Sequence, residues 1–404
     1  MAVLKNPKFL QIHFLTSYPA ALLNRDDAGF AKRIPFGGVT RTRVSSQCLK
    51  RHWRTTEGEH ALSNLGKLSV RSRYTFDAEI CKPLVAKGIS DPVAKAVSET
   101  LASVVLGQSA KAEKAKEEEK ETELKTSQIT VLGRPEIDFL LKEALVISKE
   151  IKESKDSKKA VESHFKKKEV KENLASLKKA AAGLDAALFG RMVTSDYLSR
   201  GDAAIHVAHA FTVHSEDAES DYFSAVDDLQ KDFTDKQIGS GHLGNVELNS
   251  GLYYGYVVVD IPLLVSNLEG CDRKDWLKAD RALAANVVKN LIHLVATVSP
   301  GAKLGSTAPY AYAHLVMAES GNAQPATLAN AFLVPVKERP DLLANTYKAA
   351  ADYITEIDGM YGKRNERQFA GMKDVSAIQK ATSSEKKDIN ELAQWAANEI
   401  QGGA

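Results

Sequence analysis

The chain has 404 residues, 44% hydrophobic and 26% charged, which suits a globular protein of about two or three domains, or one domain with large insertions, and excludes wholesale disorder. No apolar run approaches the roughly 18 residues of a membrane span, and Lys5 and Lys8 interrupt the opening residues, so neither membrane anchor nor secretory signal is expected. Cys48, Cys81 and Cys271 lie too far apart for a disulfide framework or a CxxC zinc site, and the net charge of +2, from 54 basic and 52 acidic side chains, does not announce a nucleic-acid binder. A soluble, cytoplasmic protein is the expectation.

In chain order, Phe9 to Leu15 reads as a strand, with Leu10, Ile12 and Phe14 on one face and Gln11 and His13 on the other. Asn24 to Asp27 forms a turn-like cluster, and Phe36-Gly37-Gly38 a turn open to close backbone approach. Thr40 to Val44 alternates again, with Arg41 and Arg43 on one face. From Ala28 to Thr56 there is no acidic residue, while Lys32, Arg33, Arg41, Arg43, Lys50, Arg51 and Arg54 fall inside. A single-sign block in a balanced chain is a candidate phosphate-contacting surface. Ser45 suits a helix N-cap. In the helix that follows, Gln47, Lys50, Arg51 and Arg54 share one face, and Cys48, Leu49, His52 and Trp53 the other. With Ser46 and backbone N–H groups at its start, such a helix can hold successive phosphates; its plain alternative is a solvated cationic face.

Residues 63–183 read as a helical insertion. Its Lys/Glu-rich runs, Lys111 to Lys125 and Lys149 to Glu172, suggest solvated helices or disordered arms rather than core, and Leu132 to Ile147 is apolar enough to dock. Asp217 to Asn249 is polar with sparse apolar residues and reads as a protruding hairpin or arm. Leu252 to Asp260 is a strong strand, Asp280 to Val298 an amphipathic helix, Ser299 to Thr307 a glycine-containing loop, and Asn330 to Val336 a further strand. Leu342 to Ile357 and Lys386 to Ile400 are expected helices. Mixed elements without strict alternation favour an α+β fold.

No catalytic constellation emerges. His206, His209 and His214 with Asp217 lack HExxH spacing and read better as histidines at or near a sheet edge; Asp26-Asp27 reads better as a helix cap or a pair with Arg25 than as a cation site. Ser45, Ser46 and His52 are too local for a triad, and Gly301 to Thr307 is not a P-loop.

Several segments nevertheless resemble a known family. Asn24 to Asp27, Phe36-Gly37-Gly38, Arg43 to Arg51 (RVSSQCLKR), Phe189 to Ser195 (FGRMVTS), Ile205 to His214, Phe223 to Gln230 (FSAVDDLQ), His242-Leu243-Gly244, Ser250 to Tyr254 and Ser299 to Lys303 closely resemble, in family order, the CasC-type backbone subunit of type I-E CRISPR surveillance complexes (Cascade), of the RAMP superfamily. The resemblance implies an RRM/ferredoxin-like palm (residues 1–62, 184–216 and 250–404), helical fingers (63–183) and a thumb (217–249). It implies a non-catalytic subunit without cofactor or metal. Its partners would be CRISPR RNA, the target DNA strand paired to the guide, other Cascade subunits and further copies stacked head-to-tail. By the same resemblance, Arg25, Lys32, Ser45, Ser46, Gln47, Lys50, Arg51, Arg54 and Arg191 would contact RNA, and Met192 would pack against bases. Tyr222, Phe223, Val226 and Leu243 would form the thumb wedge that flips out a nucleotide at regular intervals. The Lys/Glu-rich runs look longer than the family usually has. A metal-dependent or guide-processing ribonuclease of related fold is the alternative.

Overall fold

The computed structural model describes residues 6–106, 123–151, 153–177, 182–191, 198, 201–225 and 242–402. Its strands are β1 (Phe9–Ala21), β2 (Arg33–Phe36), β3 (Val39–Val44), β4 (Val70–Ser72), β5 (Thr130–Leu132), β6 (Ile205–Val207), β7 (Ala210–Thr212), β8 (Ala218–Ala225), β9 (His242–Asp260), β10 (Leu315–Gly321), β11 (Asn365–Gly371) and β12 (Lys386–Lys387). The principal helices, numbered here in chain order, are α1 (Ser46–Thr55), α2 (Asp91–Leu106), α3 (Arg134–Glu150), α4 (Ser157–Lys166), α5 (Lys168–Ser176), α6 (Ile261–Glu269), α7 (Ala282–Thr297), α8 (Leu342–Tyr361) and α9 (Ile389–Gln401). The fold is α+β, and the chain divides into two compact units: residues 1–61, 206–259 and 285–404, and residues 62–205 and 260–284.

The first unit is built on a mixed sheet in the order β12-β11-β10-β1-β9-β7-β3-β2, with β6 and β8 also paired to β9. β1 runs antiparallel to β10, from Phe9 opposite Gly321 to Leu15 opposite Leu315. Alternation sends Leu10, Ile12 and Phe14 to one face and Gln11, His13 and Leu15 to the other. Both faces are covered, so all six are buried. On the Phe14 face the ring of Phe14 lies over Gly255 of β9, where an added Cβ would stand 2.0 Å from it. On the other face Leu15, Tyr254, Met317, Phe332, Tyr347, Ile354 and Phe369 form a continuous core under α8.

Polar residues on that second face pair with one another. Tyr254 Oη lies 2.9 Å from His13 Nδ1, and Tyr256 donates to Gln11 Oε1 at 2.5 Å. Arg367 reaches Glu319 at 3.0 Å and clasps Asp358 with bonds of 2.6 and 2.9 Å. His13 Nε2 is 3.6 Å from Glu319.

The β2–β3 hairpin turns on two residues, Gly37 and Gly38, with φ of 65° and 78°. Two successive positive φ values define the type I′ turn that matches strand twist and that glycine adopts without strain. Beneath it lies Arg41, 0% exposed, which donates to the carbonyls of Phe36 (3.2 Å), Thr212 (3.0 Å) and Phe332 (2.9 Å). These bonds draw residues 329–336 against β3. Asn330 to Val336 is accordingly not the strand expected: Ala329–Phe332 forms a 3-10 turn with Phe332 buried. Lys386 and Lys387, expected in a helix, form the edge strand β12, and α9 begins after an Asp388 cap.

The second unit has its own core, drawing on Phe76, Val97, Leu101, Leu140, Ile147, Val161 and Phe165. Leu132 to Ile147 docks as anticipated, through Ile137, Leu140, Ala144 and Ile147 of α3. The Lys149 to Glu172 run is largely helical, one of the two forms expected, but it is not excluded from the core. Val161 and Phe165 on α4, and Val170 on α5, enter the core, since an i, i+4 pair of large apolar residues suffices to seat a helix that is otherwise charged. Most of Lys111 to Lys125 lies outside the described residues.

Burial, opposed by Glu319 and aided by Arg367, lowers the His13 pKa to about 4. The unfolded chain binds this proton below about pH 6.5 and the folded ring does not, so its contribution to stability is lost as pH falls from 6.5 toward 4, by about 3 kcal/mol at the lower limit. Urea unfolding midpoints should therefore fall more steeply between pH 7 and pH 4.5 in the native chain than in His13→Gln. Parallel curves would mean that His13 is not the source of the acid sensitivity.

Candidate nucleic-acid interface

α1 is held in place at both its start and its flank. Ser45 accepts a hydrogen bond from Cys48 N–H at 3.3 Å, the N-cap its sequence indicated. Its own N–H donates to Asn24 Oδ1 at 2.9 Å, while Asn24 O accepts from Lys32 N–H at 2.9 Å. One asparagine thus joins the end of β1, the entry to β2 and the start of α1. Ser46 N–H donates to His209 Nδ1 at 3.3 Å. Leu49 and Trp53 are buried, Trp53 to 1% exposure, and the indole meets Phe14 edge-on at 6.4 Å. With no acidic residue in the first turn, the helix N-terminus keeps its favourable field for an anion.

The outward face carries exposed Gln47 and Arg51 with half-buried Lys50 and Arg54. Arg25 is exposed and Lys32 half-buried on the segment that Asn24 anchors. Between them, Asp26 Oδ1 accepts from the N–H groups of Ala28 (2.9 Å) and Phe30 (3.0 Å), so it closes a turn rather than capping a helix.

The seven cations of the acid-free block do not share one surface. Arg41 is buried. Arg33 is ion-paired with Glu216 and, at 2.6 Å, with Glu247. Burial opposes ionisation of Glu247, but bonds from Asn249, Arg33 and the Ala31 N–H outweigh it and hold the carboxyl below its ordinary range. Arg43 donates to Arg33 O and to His209 Nδ1. Lys32, Lys50, Arg51 and Arg54 remain as the ridge proper. No local signal marks the neutralising acids, which lie more than 170 residues away.

Other sequence-derived candidates fall elsewhere. Arg191 is 3% exposed and gripped by Glu136 through bonds of 2.6 and 2.9 Å, so its charge is used inside the second unit rather than presented to a ligand. Met192 and Val226 lie outside the described residues. β8 and β9 form an antiparallel hairpin from Ala218 opposite Asn249 to Ala225 opposite His242. On it Tyr222 is 66% exposed, while Phe223 and Leu243 are placed by backbone pairing alone. His214 is a satisfied interior histidine: Nδ1 donates to Ser215 O at 2.7 Å and Nε2 accepts from Leu252 N–H at 3.2 Å. Among the described residues no group of three His, Cys, Asp or Glu side chains could hold a metal ion, and no helix is long and apolar enough to cross a membrane.

Comparison with known proteins gives this geometry a context. Residues 10–395 match the model of a family described as CT1975-like protein. The chain belongs to the CT1975-like family. No curated protein matches it. Among solved structures it is similar to a chain of a "CRISPR RNA-guided surveillance complex, pre-nicking", at 26% identity and a TM-score of 0.74, covering 96% of this chain and 100% of that one. A chain of a second "CRISPR RNA-guided surveillance complex" shares the fold at 24% identity and a TM-score of 0.63, with 95% and 99% covered. The cationic face of α1 thus sits in a member of a family whose fold recurs in RNA-guided complexes.

The two faces of α1 should separate stability from binding. Trp53→Ala is expected to cost about 3–5 kcal/mol in urea unfolding, whereas Arg51→Ala should stay within about 0.5 kcal/mol of the native chain. A large loss for Arg51→Ala would show that the ridge is needed for folding.

Proposed function

We propose that this protein is a non-catalytic backbone subunit, of the type I-E kind, of a CRISPR surveillance complex. It binds guide RNA in the cytoplasm and stacks head-to-tail along the spacer. The observation that carries the reading is the outward face of α1: Gln47, Lys50, Arg51 and Arg54 on a helix anchored independently at its cap and its apolar flank. The likeness to chains of RNA-guided complexes supports it.

Such a ridge holds a strand through its phosphates, which carry no sequence information. That suits a subunit that must accept any spacer, because base pairing with the target strand then supplies specificity. In this proposal residues 1–62, 184–216 and 250–404 act as an RRM-like palm, residues 63–183 as fingers and 217–249 as a thumb. A head-to-tail contact does not close on itself, so copies extend as an open helix whose length the RNA and other subunits limit. The β8–β9 hairpin reaches the neighbouring copy's strand. Tyr222, Phe223, Val226 and Leu243 displace one base per protomer, at a stacking cost of a few kcal/mol offset by contacts with those side chains.

Lys50→Ala with Arg54→Ala should weaken binding similarly for unrelated RNA sequences and flatten the slope of log affinity against log salt by about 1.4, as expected for two lost phosphate contacts on a single strand. Fluorescence anisotropy across salt concentrations measures both, and a sequence-selective loss would contradict phosphate contact. Incubation of the assembled complex with guide RNA and magnesium or manganese should yield protection; clean cleavage abolished by His206 or His209 substitution would replace the proposal with a ribonuclease.

Phe223→Ala should spare much of the electrostatic affinity while disturbing the periodic nuclease-protection pattern along the guide. An unchanged footprint would remove the wedge.

A further inference from the structure

His209 is exposed, directly precedes β7 and brings its ring to the first turn of α1. Its Nδ1 lies 3.2 Å from Arg43 Nη1 and 3.3 Å from the backbone nitrogen of Ser46. Guanidinium and backbone N–H groups only donate. Two donors converging on one nitrogen require that nitrogen to hold a lone pair, so the proton of the neutral imidazole sits on Nε2. A proton on Nδ1 would confront both donors and the nearby cations Arg43, Lys32 and Lys50. Burial, then those three cations in the same order, lower the ring's pKa below its ordinary value, in keeping with a ring that is neutral at pH 7.

The fold therefore selects a tautomer. One ring nitrogen is committed to the protein, where it joins Arg43 to the start of α1. Among the described residues the other nitrogen, Nε2, makes no hydrogen bond, and it carries the donor. The ring that carries it bonds the first turn of α1 and lies in the field of Lys32 and Lys50, surroundings that favour an anion.

We propose that His209 is a neutral contact to the RNA strand, donating Nε2–H to a phosphate oxygen at the start of α1 while Arg43 and Ser46 hold its Nδ1. This rests on the reading of α1 as the phosphate grip and adds to it a component of a different kind. Cationic contacts release counterions and weaken steeply with salt; a neutral donor adds affinity that salt does not erode. His209 also orients Arg43, whose guanidinium is drawn toward the helix.

His209→Asn supplies an acceptor oxygen near the position of Nδ1 and removes the outward N–H. In anisotropy titrations with unrelated RNA sequences it should lower affinity about fivefold, the loss of one neutral hydrogen bond, at every salt concentration and with the salt slope unchanged. His209→Ala should lower it further. Nitrogen-15 spectra of histidine-labelled free protein, with the His209 signal assigned by its absence in His209→Asn, should show the Nε2-protonated neutral tautomer at pH 7. Native affinity in both variants would overturn the proposal, as would an Nδ1-protonated or doubly protonated ring. A flattened salt slope in His209→Asn would also overturn it, because the contact would then be cationic. The double Lys50→Ala, Arg54→Ala variant separates the two levels. If it binds normally, the α1 reading fails; if it is impaired while both His209 variants are native, only the His209 contact fails.

Discussion

The cationic ridge exists because α1 cannot rotate. Leu49 and Trp53 are committed to the interior beside Phe14 and Val44, and a turn of the helix by one residue, about 100°, would withdraw them and bring charged side chains inward. The start of the helix is capped by Ser45 and tied to two other parts of the chain, Asn24 after β1 and His209 beside β7. Hydrophobic burial fixes the azimuth, and polar bonds fix where the helix begins. Together they convert a periodic run of Lys and Arg into an ordered row facing outward.

Charge in this region is sorted by the fold rather than displayed as the chain supplies it. Arg41 directs its donors to three carbonyls and, among the described residues, pairs with no carboxylate; burial lowers its pKa, and the bonds offset the cost of removing it from water. It serves as a clamp that fastens the β2–β3 hairpin to β7 and to the turn containing Phe332. Arg33 is neutralised by Glu216 and Glu247, which come from either end of the β8–β9 hairpin's base. An acid-free stretch of sequence is therefore a weaker sign of a positive surface than it looks. Long-range pairing can cancel its charges, and what survives depends on which side chains the helix turns outward.

Much of this was legible in the residues. Alternation marked β1 and β3, Ser45 announced its helix, and the 3.6-residue period separated Trp53 from Arg51, because each of these signals is local and matches its backbone period. β10 was not legible, since Leu315 to Ala318 is a continuous apolar run that reads equally as a buried helix segment, and β11 is a mixed stretch whose strand character comes from pairing with β10. Asn330 to Val336 is an apolar run that reads as a strand, yet Arg41 and Val213 capture its backbone carbonyl and amide groups. For the site, α1 could be read from its faces. The contacts of His209 and the pairing of Arg33 could not, because they join residues 160 or more positions apart with no periodic trace of the contact.

The second unit shows the same economy of charge in the opposite direction. Arg191 is bound by Glu136, and Asp185 accepts from Ser69 N–H, Ser69 Oγ and Arg71, so both charges are enclosed with their hydrogen-bonding capacity used. Enclosed ionic groups of this kind are costly unless paired and position their segments more than they stabilise them. Here they tie residues 69–71 to 185 and residue 136 to 191, across a long excursion of the chain. An arginine that sequence similarity nominates for a ligand can thus be retained for architecture. The distinction between Arg191 and Arg51 is one of solvent access: a cation already desolvated and doubly bonded to a carboxylate must break that pair to meet a phosphate, whereas one at the surface gives up only water.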